Sequence, residues 1–191
     1  REVIAEQIGY ELDQEILEGD GTNLTGLNAT SGVNTVDAGG STATNGAAVR
    51  FQDLALALYK AQHASTRNNA AWFMHPDIAA TIVGMVDSNN QPVFHFGGAD
   101  RTPTEMILGR PLYTVPALSR TQTKGTSTDC STIYFGPWRK GLFGIRRQLT
   151  FEVTNQASFT TDEVDFRMIG RFDCAFPVPS AFTKITGCRV V

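Results

Sequence analysis

The sequence predicts an α+β fold, and three observations predict it. Ile4, Ile8, Leu12 and Ile16 recur every four residues, laying one apolar stripe along a helix with Glu2, Glu6, Glu11 and Glu15 off it. Leu149, Phe151 and Val153 alternate with Gln148, Thr150 and Glu152, and Val164, Phe166 and Met168 alternate with Asp165 and Arg167, the period of strands with one buried face. Between these segments short apolar runs are separated by Gly, Pro, Asn and Asp, and neither an internal repeat nor a low-complexity linker divides the chain into independent domains. With 191 residues and 41% hydrophobic content, the chain can bury a core as one large domain or two small lobes.

The elements follow in order. Gly19 lies just past the last residue of the stripe and is expected to close the helix in the left-handed conformation, with Asp20-Gly21 adding a second turn signal. The helix has no visible start: Arg1 already lies inside the apolar period with no capping residue before it, so the chain reads as a fragment or truncated product. Residues 28 to 48, rich in Ser, Thr, Asn, Gly and Ala, read as an exposed loop with one short strand near Val33 to Val36. Phe51, Leu54, Leu58 and Ala61 give a second helix to about Ala64, and Asp53 suits its first turn. Ala70 to Met74 is an apolar run of strand length. His75 then caps or turns before Pro76, which opens a helix to Val86 burying Ile78, Ile82 and Val83. Asp87 to Asn90 reads as a turn, and Pro103 and Pro111 bracket the run Met106-Ile107-Leu108. The two long strands follow, joined by Thr154 to Asp162 as a hairpin turn, and a last apolar segment, Phe172 to Val178, ends at Pro179-Ser180-Ala181-Phe182.

Several function classes are excluded. Sixteen basic residues against 19 acidic ones give a net charge of -3 without blocks of one sign, unlike a dedicated nucleic-acid-binding domain. No apolar stretch reaches the roughly 20 residues that cross a bilayer and no leader pattern is present, so a soluble, non-secreted protein with no membrane partner is expected. Cys130, Cys174 and Cys188 suit buried free thiols in a reducing compartment. His63, His75 and His95 include no pair spaced for one helical face, so neither a metal nor a cofactor is expected, and no local motif joins Cys130 to His75 or His95 as a nucleophile. Gly19-Asp20-Gly21 lacks the Lys-Ser/Thr ending of a phosphate loop, and Asp20, Asp37, Asp87 and Asp100 do not reproduce a calcium loop. Arg139-Lys140 and Arg146-Arg147 form a small basic cluster that could meet phosphate, though such residues on strand edges also commonly just discourage unwanted pairing. A good core without a convergent acid, base or nucleophile set suits an assembly subunit better than an enzyme.

The order of features resembles the major capsid proteins of tailed bacteriophages, the Hong Kong 97-like family. The matching pieces are Gly19-Asp20-Gly21-Thr22-Asn23 with Thr25-Gly26-Leu27 after a helix, the helix bearing Asp53 and Leu54, and Trp72-Phe73-Met74-His75-Pro76 before the next helix. Leu108-Gly109-Arg110-Pro111-Leu112, Tyr134-Phe135-Gly136, Phe159 followed by Asp162, Val164, Arg167 and Arg171, and Ala181-Phe182 complete the series.

The resemblance implies a two-lobed capsid subunit: residues 1–28 (the end of a spine helix) and 148–173 (a long β-hairpin) in a peripheral lobe, residues 29–147 and 174–191 in an axial lobe with a central sheet and flanking helices. It places the family's N-terminal arm and extended loop upstream of Arg1. Some members cross-link subunits through a Lys-Asn isopeptide bond helped by a Glu; here the Asn position falls near Asp162 and the Glu position near Ile169, so no such cross-linking is expected. The implied function is a head subunit that self-assembles, through hexameric and pentameric capsomers, into an icosahedral shell in the virion. Assembly is expected in the host bacterial cytoplasm, with scaffolding and portal proteins as further partners and double-stranded DNA packaged without sequence recognition. Residues 28–48 and Phe94 to Thr104 are the expected contacts around capsomer axes, Thr154 to Asp162 those between capsomers, and Arg139, Lys140, Arg146 and Arg147 the subunit-contact or DNA-facing residues. An encapsulin-like nanocompartment shell is the second reading, and an α+β enzyme the third.

Overall fold

A seven-stranded sheet and a separate two-stranded ribbon organise the chain in the computed structural model, which describes residues 2–61, 69–87, 89–93, 106–154 and 164–190. In chain order the elements are α1 (Glu2–Glu18), β1 (Asn34–Asp37), α2 (Phe51–Lys60), β2 (Ala71–Met74), α3 (Pro76–Val83), β3 (Met106–Ile107), β4 (Arg110–Thr114), β5 (Gln122–Lys124), β6 (Ser127–Gly136), β7 (Leu142–Thr154), β8 (Asp165–Ala175) and β9 (Thr183–Arg189). Short 3-10 turns lie at Trp138–Lys140 and Pro179–Ala181. The sheet runs β1-β9-β6-β2-β4-β3, with β5 beside β6. β1 with β9 and β2 with β4 are parallel; the other pairs are antiparallel. The fold is α+β, as expected.

β6 is the middle of the core. Ile133 and Phe135 point to one face, where they meet Leu54 and Ala57 of α2, Ile78 and Ile82 of α3, and Trp72. Tyr134 points to the other face, with Leu17, Leu27, Cys174, Phe176 and Phe182. Both faces are therefore covered from Cys130 onward, and Ile133-Tyr134-Phe135 is a short apolar run with no alternation to reveal a strand. This is why β6 is not apparent from sequence periodicity.

The C-terminus of α1 is closed by the chain folding back on it. Gly19 N–H donates to Glu15 O, Leu27 N–H to Ile16 O and Asn28 N–H to Leu17 O, satisfying carbonyls that a helix end leaves unpaired. Asp20 Oδ1 accepts from Thr22 N–H at 2.8 Å, and the positive φ of 96° falls on Gly21. Gly19 serves otherwise than expected: its φ is not positive, and a Cβ there would collide with the Glu15 and Leu24 carbonyls. The glycine is required by close backbone approach.

Three further expectations are corrected. The stripe Ile4, Ile8, Leu12, Ile16 is no buried seam: Ile4 is exposed, the other three are half-buried, and Leu17 is the buried anchor. α3 ends at Val83, which is exposed; the i→i−4 ladder stops after Gly84, and the Met85 N–H turns to Ile82 O instead. Of the period expected for the second helix, Leu54 and Ala61 are buried and Leu58 is half-buried, but Phe51 at its start is exposed, and Ala57 is a buried position the period does not include. His63, His95, Asp100, Asp162, the stretch Phe94 to Thr104, and all of the expected hairpin turn after Thr154 except that residue lie outside the described residues.

Candidate subunit-contact surface

β7 and β8 pair antiparallel from Leu142↔Ala175 to Thr154↔Asp165, a ribbon longer than the two expected strands because β7 begins at Leu142. The one-buried-face expectation fails here: Leu142 is 60% exposed, Ile145 55% and Phe166 65%. Phe143 stacks with Phe172 at 5.9 Å and Phe151 with Phe166 at 5.8 Å, so the apolar side chains pack along the ribbon while remaining open to solvent. Among the described residues no third strand joins this ribbon, and two strands alone are at best marginal in water, so its apolar surface is unfinished there.

Between α1 and the ribbon lies a cleft of about 1110 Å³. Ile8 and Leu12 line it from α1, and Ile145, Leu149, Met168 and Phe172 from the ribbon. Glu11 and Glu15 of α1, and Arg146 and Arg171 of the ribbon, also line it.

The four basic residues singled out from the sequence lie on two successive elements. Arg139 and Lys140 are exposed on the turn before β7, which Trp138 anchors by stacking on Phe73 at 4.2 Å and donating its indole N–H to Ala71 O. Arg146 and Arg147 are exposed within β7 itself, where the register shifts between Ile145 and Arg147. Arg147 lies 3.4 Å from Glu152, whose other oxygen accepts from Arg167 Nε at 3.1 Å. That pair holds the Glu152 carboxyl below its ordinary pKa. Arg171, the direct partner of Arg147 across the strands, enters the sequence reading only as part of the resemblance. The pairing register that brings these two arginines together is not readable from one strand.

A second recess, of about 700 Å³, is polar and includes Glu15, Glu18, Asp20, Lys124 and Thr132. Burial raises the Glu18 pKa, the signature sought for an enzyme acid, but the carboxylate is already engaged. It accepts from Ser119 N–H at 3.0 Å and from Gln122 Nε2 at 2.6 Å, tying the end of α1 to β5. Burial raises the Cys130 thiol above its ordinary pKa, opposite to what a nucleophile needs. All three cysteines are buried and free. His75 Nδ1 caps α3 by accepting from Asp77 N–H at 3.1 Å. Among the described residues no group of three or more His, Cys, Asp or Glu is placed to hold a metal, and no helix is long and apolar enough to cross a membrane. The recess thus works as a clasp between α1 and the sheet.

Residues 1–187 match the phage capsid family, and the chain belongs to that family. No curated protein sequence matches it. Among solved structures it resembles the capsid of an empty GTA particle, with a TM-score of 0.74 at 19% identity over 98% of this chain and 64% of that one. It also resembles Gordonia phage Cozz, with a TM-score of 0.64 at 16% identity over 96% of this chain and 61% of that one. A third likeness is to the holo-SrpI encapsulin complex of Synechococcus elongatus, with a TM-score of 0.67 at 14% identity over 100% of this chain and 65% of that one. At these identities the likenesses establish a shared fold, and the chain spans less than two thirds of each of these proteins.

Proposed function

We infer that this chain is part of a major capsid subunit, a structural protein that self-assembles into a closed shell around double-stranded DNA. The observation that carries the reading is family membership over residues 1–187. The uncovered apolar ribbon supports it, because a subunit whose surface is finished only by its neighbours suits a repeated assembly. In this reading α1 and the ribbon belong to a peripheral lobe and the seven-stranded sheet with α2 and α3 to an axial lobe of the Hong Kong 97-like kind. The protein acts as a homo-oligomer of hexameric and pentameric capsomers, is located in the virion, and assembles in the host cytoplasm. Scaffolding and portal proteins are its further partners. No catalytic step or isopeptide cross-link is assigned to it: Ile169, at the position where the resemblance requires Glu, has no group to take up a proton.

The encapsulin likeness gives the second reading, a shell around protein cargo. Particles from the full-length protein expressed in its native host distinguish the two. Long nuclease-protected DNA inside them supports the capsid; particles holding only protein support the compartment.

A further inference from the structure

Two surfaces of this chain are complementary, and the subunit that presents one also presents the other. On the ribbon, Arg147 and Arg171 are direct register partners, a like-charge pair across two strands that is unfavourable unless something neutralises it. Arg146 and Arg171 are exposed and, although they share the cleft with Glu11 and Glu15 of the same chain's α1, make no ion pair among the described residues, and Arg147 shares Glu152 with Arg167. From Trp138 through β7, and again along β8, the described residues include six cations and three carboxylates.

α1 has the opposite character. Its 17 residues carry six carboxylates and neither Lys nor Arg. Glu6, Gly9 and Asp13 follow one another at i, i+3 and i+7, on one stripe, and all three are exposed. A Cβ at Gly9 would meet nothing within 4 Å. Glycine inside a helix costs about 1 kcal/mol against alanine, so Gly9 weakens α1 while leaving a low place between two acids where another backbone can approach.

We propose that the ribbon of one copy docks on the outer stripe of α1 in the next copy, with Arg146, Arg147 and Arg171 meeting Glu6 and Asp13 across the gap at Gly9. The inference rests on the shell reading and gives it a specific contact. The contact is heterologous, because the donor and acceptor surfaces differ, so repetition closes a ring when the rotation between copies allows it. Packaged DNA would also neutralise the arginines. It would leave the acidic stripe without a partner, whereas a second copy brings acid and base together.

The test uses the full-length protein and reads the assembled fraction by sedimentation, with circular dichroism and melting of dissociated subunits as the folding control. Arg146→Glu with Arg171→Glu is expected to lower the assembled fraction at least tenfold while the subunit stays folded. Adding Glu6→Arg and Asp13→Arg is expected to restore it. Gly9→Leu, which favours the helix but fills the low place, is expected to block assembly without lowering the melting temperature. Reversal variants that assemble like wild type, folded reversals that the compensating changes do not rescue, or intact particles that merely lose protected DNA would each overturn the proposal; the last assigns the arginines to phosphate. If the wild type itself forms no assembly, the shell reading has failed first.

Discussion

Arg50 and Asp53 close the start of α2 around a carboxylate that has no exposed surface. Asp53 Oδ2 accepts from the Gly39 amide at 2.9 Å and the Arg50 amide at 3.0 Å, while Oδ1 accepts from Arg50 Nη2 at 3.0 Å. One side chain thereby holds the loop after β1 against the first turn of the helix. Replacing Asp53 with Ala strands two backbone donors and is expected to cost about 2 kcal/mol, read by urea unfolding. Arg50→Ala leaves both amide bonds in place and should cost distinctly less; equal losses would mean that the ion pair, not the amides, matters.

The packing around β6 leaves no spare room at Gly136. A Cβ there would run into the ring of Phe182, which itself packs against Trp138 and Phe176. Gly136→Ala is expected to destabilise the fold by about 1–3 kcal/mol despite the better conformational entropy of alanine. A neutral or stabilising result in thermal melting would show that this ring cluster yields easily.

Glu18 gives the clasp between α1 and the sheet a pH dependence of defined sign. Burial is the main cause of its raised pKa, partly opposed by its hydrogen bonds to Ser119, Gln14 and Gln122. The folded-state pKa therefore lies above the unfolded one, and the charged form is penalised in the folded state. Its contribution is unfavourable at neutral pH and is relieved as the pH falls through the raised value. Comparing Glu18→Gln with wild type by melting from neutral pH down to the ordinary glutamate range isolates it. The variant should lack this acid-side gain; identical slopes would remove Glu18 as the source.

Exposed apolar residues on the ribbon should matter for association and hardly for the subunit. Val153→Ser with Phe166→Ser removes apolar surface that is about half or more exposed in the single chain. The expected change in subunit stability is about 1 kcal/mol or less, together with a clear fall in sedimenting particles. Strong destabilisation without an effect on association would make the ribbon an intramolecular structure only.

What the sequence disclosed follows from where its signals arise. α1, the His75 cap of α3 and the β7–β8 hairpin depend on local spacing, so they were legible. β6 is covered on both faces and shows no alternation, and β1, β4 and β9 acquire their partners from distant segments, so periodicity was silent about the sheet. The alternation in β7 and β8 marks them as strands but does not mean a buried face, because the described part of this chain leaves most of that apolar surface uncovered. The same reason hid the contact surface: Arg146 and Arg147 were visible as a basic pair, but Arg171 joined them only through the strand register.

Electron microscopy of the purified full-length protein shows directly whether it assembles into a shell. Closed particles of uniform size built from repeated copies of this chain are expected. A protein that stays monomeric or forms only small oligomers under every assembly condition, while remaining folded, would contradict the shell reading.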